Sequence, residues 1–180
     1  MASSQARIWV WCEDREHEAF ARRLLKERFG LDARHLTFKI APKGQGAASA
    51  WVLRKYQEEV LPTARRARHQ QLLGFLVLVD GDNVGWKRRI EQFEQAGGNE
   101  PRSERIAICA PTWSIETWVL WLCGEEVTES VSLKDRLPPD KFRGKLDDAI
   151  AKWDPPRDKE ADQVPSLSAG RVELQRLPLN

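Results

Sequence analysis

The sequence predicts an α/β fold: a mainly parallel four-stranded sheet with helices on both faces, followed by a C-terminal helical extension. Three observations predict it. Four apolar, strand-like segments alternate with four amphipathic, helix-like ones through residues 1–124, and this alternation demands crossover connections and therefore parallel strands. The third strand-like segment, Gly74-Phe75-Leu76-Val77-Leu78-Val79, has no polar interruption, as expected of a strand covered on both faces. Beyond Gly124 the strand-like segments cease, and residues 125–180 read as helices joined by a Pro-rich linker and packed on the same domain.

Ile8 to Cys12 is the first expected strand. Glu16 to Phe29 follows with Phe20, Ala21, Leu24, Leu25 and Phe29 at the spacing of one helical face, and Gly30 is a natural stop. His35 to Ile40 alternates Leu36, Phe38 and Ile40 against polar residues, the pattern of a half-buried strand, and Pro42-Lys43-Gly44-Gln45-Gly46 is then a loop. Ser49 to Ala67 carries Val52, Leu53, Tyr56 and Val60 on one stripe; Ser49 is its expected cap, and Pro62 is expected to kink or divide it. After the central strand, Asn83 to Ala96 places Trp86, Ile90 and Phe93 on one helical face and leads into a Gly-Gly-Asn-Glu-Pro loop. Arg105 to Ala110 is the fourth strand. Ser114 is the expected cap of a helix whose stripe is Ile115, Trp118, Val119 and Leu122. In the extension, Lys141 to Trp153 and Ser168 to Leu177 are expected helices around a charged linker, 154–165.

The 180 residues suit one domain with a core large enough to fold unaided. Three Cys without CxxC spacing suggest neither a disulfide framework nor a zinc site, and a reducing cytoplasm is the expected compartment. No secretory segment opens the chain, since Met1 to Ala6 is polar, and no window approaches a membrane span. A net charge of +2 is uninformative, but Arg22/Arg23/Lys26/Arg28, Arg65/Arg66/Arg68 and Lys87/Arg88/Arg89 are local basic clusters. These are either solvated helix faces or a rim that meets phosphates.

The chemistry concentrates at strand ends. Asp80 and Asp82 terminate the central strand, and Glu13 terminates the first. In an open parallel sheet ligands sit outside these carboxyl ends. Acids gathered there repel one another unless a cation neutralises them, and a hard divalent ion with oxygen ligands does so. Glu116 opens the helix after the fourth strand among Trp113, Ile115 and Trp118. A partly desolvated acid there suits metal coordination or general base work. Both Glu13 and Glu116 also have a plain alternative as helix-start acids that complement the dipole.

The ordered combination of strand-Glu13-turn-helix, strand-Asp80-Gly81-Asp82 and Pro111-Thr112-Trp113-Ser114-Ile115-Glu116-Thr117-Trp118 resembles the Toprim family over about residues 7 to 122. It looks most like the small stand-alone nucleases akin to the overcoming-lysogenisation-defect type, and Pro165-Ser166-Leu167 is similar to a short C-terminal segment in some of them. The resemblance implies a Toprim/Rossmann-like sheet and an Mg²⁺- or Mn²⁺-dependent nuclease that hydrolyses DNA or RNA phosphodiesters. Glu13, Asp80, Asp82 and Glu116 are then the catalytic metal ligands, and Lys43, Lys87, Arg88 and Arg89 bind flanking phosphates. It also implies a role in phage defence beside a separately encoded ATPase.

The sequence departs from the family in two places. Many Toprim proteins carry Gly after the first acid and a second acid four positions beyond it, where this chain has Asp14 and His17. Glu16 or Glu18 substitutes, or His17 ligates or transfers protons, or His17 is simply solvated on its helix. The only Tyr, Tyr56, falls on a buried stripe, which disfavours a strand-passage nucleophile. The remaining alternative is a catalytically degenerate Toprim module that binds a protein partner through exposed Trp residues, since Trp118 and Trp121 do not share one helical face.

Overall fold

A computed structural model describes residues 5–44, 46–98, 102 and 105–179. Met1–Ser4 of the polar opening, Gln45 of the first expected loop and Asn99 to Pro101 of the Gly-Gly-Asn-Glu-Pro loop lie outside the described residues. Four strands, β1 (Arg7–Cys12), β2 (Leu36–Ile40), β3 (Leu73–Leu78) and β4 (Ile106–Cys109), form one all-parallel sheet in the order β2-β1-β3-β4. The chain moves outward from β1 to β2, then returns past β1 to β3. The boundary between β1 and β3 is therefore the topological switch point, where loops diverge and leave a crevice at the carboxyl ends.

Helix α1 (Arg15–Phe29) starts at Asp14, whose carboxylate caps it by accepting the His17 N–H at 2.9 Å. It stops at Gly30 (φ +68°), the one residue type that adopts this left-handed end without strain. Residues 48–66 are helical throughout: α2 (Ala48–Lys55), a wide π turn (Tyr56–Val60) and α3 (Leu61–Arg66). The π turn accommodates Pro62, which has no N–H to give and crowds the carbonyl four residues back. The helix is thus widened ahead of Pro62 instead of being cut at it. A side-chain cap at Ser49 is not formed; the N-cap is Ala47.

Helix α4 (Trp86–Ala96) follows β3, and α5 (Ile115–Leu122) follows β4. The extension contributes α6 (Pro139–Ala151), the single turn α7 (Glu160–Gln163) inside the expected linker, and α8 (Pro165–Leu174). No helix among the described residues is long and apolar enough to cross a membrane.

Alternate strand residues feed two cores. Ile8, Val10, Cys12, Leu76 and Leu78 face α1, α5 and the extension, where Phe142, Leu146, Ile150 and Leu167 complete one continuous cluster. Trp11, Phe75, Val77 and Val79 face Val52, Tyr56, Val60 and Phe93 on the other side. Every residue of α5 is buried, because the sheet lies on one side and the extension closes the other. Trp118 and Trp121 are therefore both enclosed, and none of the eight Trp is exposed: four are buried and four partly buried. The exposed aromatic surface expected for an interaction module is absent from these residues.

The β3–β4 pairing continues beyond the strands. Val79 N–H donates to the Cys109 carbonyl at 3.1 Å, Gly81 N–H to Pro111 at 2.7 Å and Asp82 N–H to Trp113 at 3.2 Å. Gly81 is required by this close approach, since a Cβ there would stand 2.3 Å from the Thr112 carbonyl oxygen and 2.7 Å from that of Pro111. Both obstacles are backbone. Gly81→Ala is expected to destabilise the protein by about 3 kcal/mol, the upper range for forced overpacking, measurable by urea unfolding; unchanged stability would mean that the two segments are not in contact.

Candidate functional site

Glu13 and Asp80 leave the adjacent strands β1 and β3 at the switch point, and the Asp80 N–H donates to Glu13 Oε1 at 3.0 Å. Asp80 is 1% exposed and sits at the centre of the site. Its Oδ1 accepts the Ile115 N–H at 3.1 Å and faces His17 Nε2 at 2.9 Å. The Lys134 ammonium stands 3.0 Å from Oδ2, as an ion contact and not a well-directed hydrogen bond. Asp80 therefore supplies the first helical N–H of α5 with its acceptor, in the place where Ser114 was the expected cap; Ser114 makes no capping bond.

His17 is fully buried, not solvated on its helix. Its Nδ1 lies 2.7 Å from Asp14 Oδ1 and its Nε2 faces Asp80, so both ring nitrogens meet carboxylate oxygens. Only an imidazolium donates to both. Burial alone disfavours the charged ring, but the Asp80 charge and the Asp14 hydrogen bond outweigh it and hold His17 well above the ordinary histidine range. Asp14 responds in the opposite sense: although burial pushes its carboxyl up, the His17 contacts bring it down to about 2.

Glu13 is crowded. Burial first, then the Asp80 and Asp82 charges, push its carboxyl up to about 7, although His17 opposes them. Glu116 is buried, and its pKa is raised mainly by burial, with Ser114 partly offsetting it and Asp80 adding to it. Glu116 Oε2 is a buried acceptor with no hydrogen-bond partner among the described residues. Asp82 takes φ +46°, a conformation Asp tolerates better than most residues. Its carboxylate turns to Arg89 at 3.4 Å.

The expected phosphate-binding residues divide. Lys43 is exposed in the turn after β2, and Lys87 and Arg88 are exposed at the start of α4. Arg89 faces inward instead, donating to the Asp80 carbonyl at 2.9 Å and to Gln92 as well as approaching Asp82. It braces the Asp80-Gly81-Asp82 turn. Cys12 is buried beside the acids, and burial pushes its thiol up, away from nucleophilic reactivity. Burial likewise raises Tyr56 to about 12.

Two contributors have no readable sequence signal. Lys134 comes from the extension, 54 positions beyond Asp80 in the chain, and no motif accompanies it. Asp14 is visible as a helix cap but not as a partner of His17. Among the described residues, no three Asp, Glu, His or Cys side chains stand close enough together to hold one metal ion as they are arranged. The donor chemistry nonetheless fits a hard cation. Glu13 meets the Asp80 backbone at the strand ends, burial and the neighbouring acids make Glu13 resist ionisation, Glu116 keeps an unpartnered buried oxygen, and an ammonium already occupies Asp80 Oδ2.

The Glu13 environment has a measurable consequence. A carboxyl whose folded pKa is raised from 4.5 to about 7 contributes stability below pH 4.5 that is lost as pH climbs to about 7. Across that window the metal-free protein is expected to lose about 2–4 kcal/mol relative to Glu13→Gln. Parallel pH–stability curves for the two proteins would rule this environment out. No family model, curated protein or solved structure matches the chain.

Proposed function

We propose that the protein is a divalent-metal-dependent nuclease that hydrolyses phosphodiester bonds of DNA or RNA. The observation that carries this reading is the meeting of Glu13 and Asp80 at the β1/β3 switch point, linked through the Asp80 N–H and flanked by Asp82 in its left-handed conformation and by Glu116 with its unpartnered Oε2. Acids gathered in a crevice outside parallel strands, with the Glu13 and Glu116 carboxyls pushed up mainly by burial, are the pattern expected of a catalytic centre. The sequence resemblance to Toprim nucleases points the same way.

Glu13 and Asp80 are the ligands of an Mg²⁺ or Mn²⁺ ion in this reading, with Asp82 and Glu116 joining them. When bound, the ion supplies Lewis acidity toward the phosphoryl oxygen and the attacking water. Glu116, held partly desolvated at the start of α5, is suited to accept the water's proton at Oε2. His17 is fully buried and holds Asp80 in orientation through Nε2, while Arg89 holds the turn that carries Asp80 and Asp82. Exposed Lys43, Lys87 and Arg88 meet flanking phosphates. By the same resemblance, the nuclease works in phage defence beside a separately encoded ATPase.

One observation favours a degenerate, regulatory module as the second reading. Asp80 is already neutralised from within by His17 and Lys134. Incubation of the purified protein with labelled single- and double-stranded DNA and RNA, in Mn²⁺ or in EDTA, separates the readings: Mn²⁺-dependent cleavage supports the nuclease, whereas inertness on all four substrates supports the module.

A further inference from the structure

Asp80 has two oxygens and both are taken. Oδ1 serves His17 and Ile115, which are the fixed scaffold of the site. Oδ2 is covered by the Lys134 ammonium and has essentially no contact with solvent. A cation approaching from solvent therefore meets Lys134 before it meets Asp80. The two partners of Asp80 differ in freedom: His17 is wholly buried, whereas the Lys134 side chain is 49% exposed and has room to move outward.

The backbone under Lys134 is anchored on both sides. Leu133 and Leu137 are buried in the core, and Arg136 pairs with Glu125 at 2.6 Å. Upstream, the Glu129 carboxylate is hydrogen-bonded by Thr112 and Ser166, and its carbonyl accepts the Trp113 indole N–H at 3.2 Å. The segment cannot lift away as a flap without breaking these contacts. What remains mobile is the four-carbon stem of Lys134, a compact charge on a flexible arm.

We infer that Lys134 is a built-in counter-cation that occupies the Asp80 Oδ2 position when no metal is bound and must swing out for a divalent ion to bind there. The inference rests on the metal-dependent reading above and adds a regulatory term to it. Lys134 and the metal are mutually exclusive at one oxygen, so the resting site stays neutralised and metal loading is weaker than the acids alone would give. Asp82 and Glu116 feel the same ammonium.

The test is Mn²⁺ binding, measured by isothermal titration calorimetry on the full chain without nucleic acid. Lys134→Met, which keeps the apolar stem and removes the charge, is expected to bind Mn²⁺ about tenfold more tightly or better than wild type. Lys134→Arg, which restores a cation, is expected to return affinity toward wild type. A second readout guards against a variant that is merely less stable: Mn²⁺ should raise the melting temperature of Lys134→Met by more than that of wild type, because the metal then fills a position left without positive charge. Unchanged or weaker Mn²⁺ affinity in Lys134→Met, with binding still abolished by Asp80→Asn, would overturn the inference while leaving the metal site standing. Absence of Mn²⁺ binding in wild type and Lys134→Met alike would overturn both.

Discussion

Asp80→Asn is expected to abolish Mn²⁺-dependent cleavage, by at least about 100-fold, and to lower stability by about 3–5 kcal/mol. Two separate causes produce the two effects. An amide is a poor ligand for a hard cation, so the proposed chemistry loses its central oxygen donor. The amide oxygen still accepts the Ile115 N–H, but the buried His17 imidazolium and the Lys134 ammonium lose the charge that compensates them. Measuring turnover and urea unfolding on the same preparation separates the two, because Glu13→Gln removes an acid without stranding a buried cation. Glu13→Gln is therefore expected to lose cleavage while remaining folded. Retention of wild-type turnover in Asp80→Asn would exclude Asp80 from the chemistry, and unchanged stability would contradict the buried pair.

His17→Gln is expected to produce the largest pH-dependent change. The glutamine can hydrogen-bond but carries no charge, so Asp14 and buried Asp80 lose the cation between them, at a cost of about 3–5 kcal/mol near pH 6. The folded pKa of His17 lies well above its unfolded value near 6.5. Its stabilising contribution is consequently full below about pH 6.5 and declines as pH rises through the folded value. The gap between wild type and His17→Gln should narrow in alkaline solution. Asp14 works at the other extreme: with its folded pKa lowered to about 2, its contribution is present above about pH 4 and is lost as pH falls through 2. A gap that stays constant from pH 6 to alkaline pH would show that His17 is not held as an imidazolium. Turnover under saturating Mn²⁺ provides a second check, since a residue that orients Asp80 should lower kcat more than it raises KM.

Sequence and structure agree on some features and part on others for identifiable reasons. The alternation of apolar strand segments with one-sided helical stripes is a local periodicity, and it suffices for the all-parallel, helix-covered sheet. Glu13, Asp80 and Asp82 follow strand ends, and once the strands are parallel those ends share an edge. The course of the chain at Pro62 was less legible, because a widened helical turn and a broken helix carry the same Pro signature. The two tryptophans of α5 misled for a different reason: a helix buried all round has no polar face to announce which side is inward.

His17 shows the limit most clearly. Its position three residues after Asp14 and near polar neighbours reads as solvated, yet α1 packs so that the ring points into the switch-point crevice at Asp80, 63 residues away in the chain. Arg89 belongs to a basic run that reads as a phosphate rim, but one turn of helix directs it back to the Asp80 carbonyl while Lys87 and Arg88 face solvent. By itself the sequence determined the sheet, its carboxyl edge and the acids that follow the strand ends there, because these depend on short-range patterning and strand direction. The tertiary structure alone decided which cations neutralise those acids. That choice depends on how α1 and the segment before α6 pack over the edge, and electrostatic partners brought together across a fold leave no periodicity in the chain.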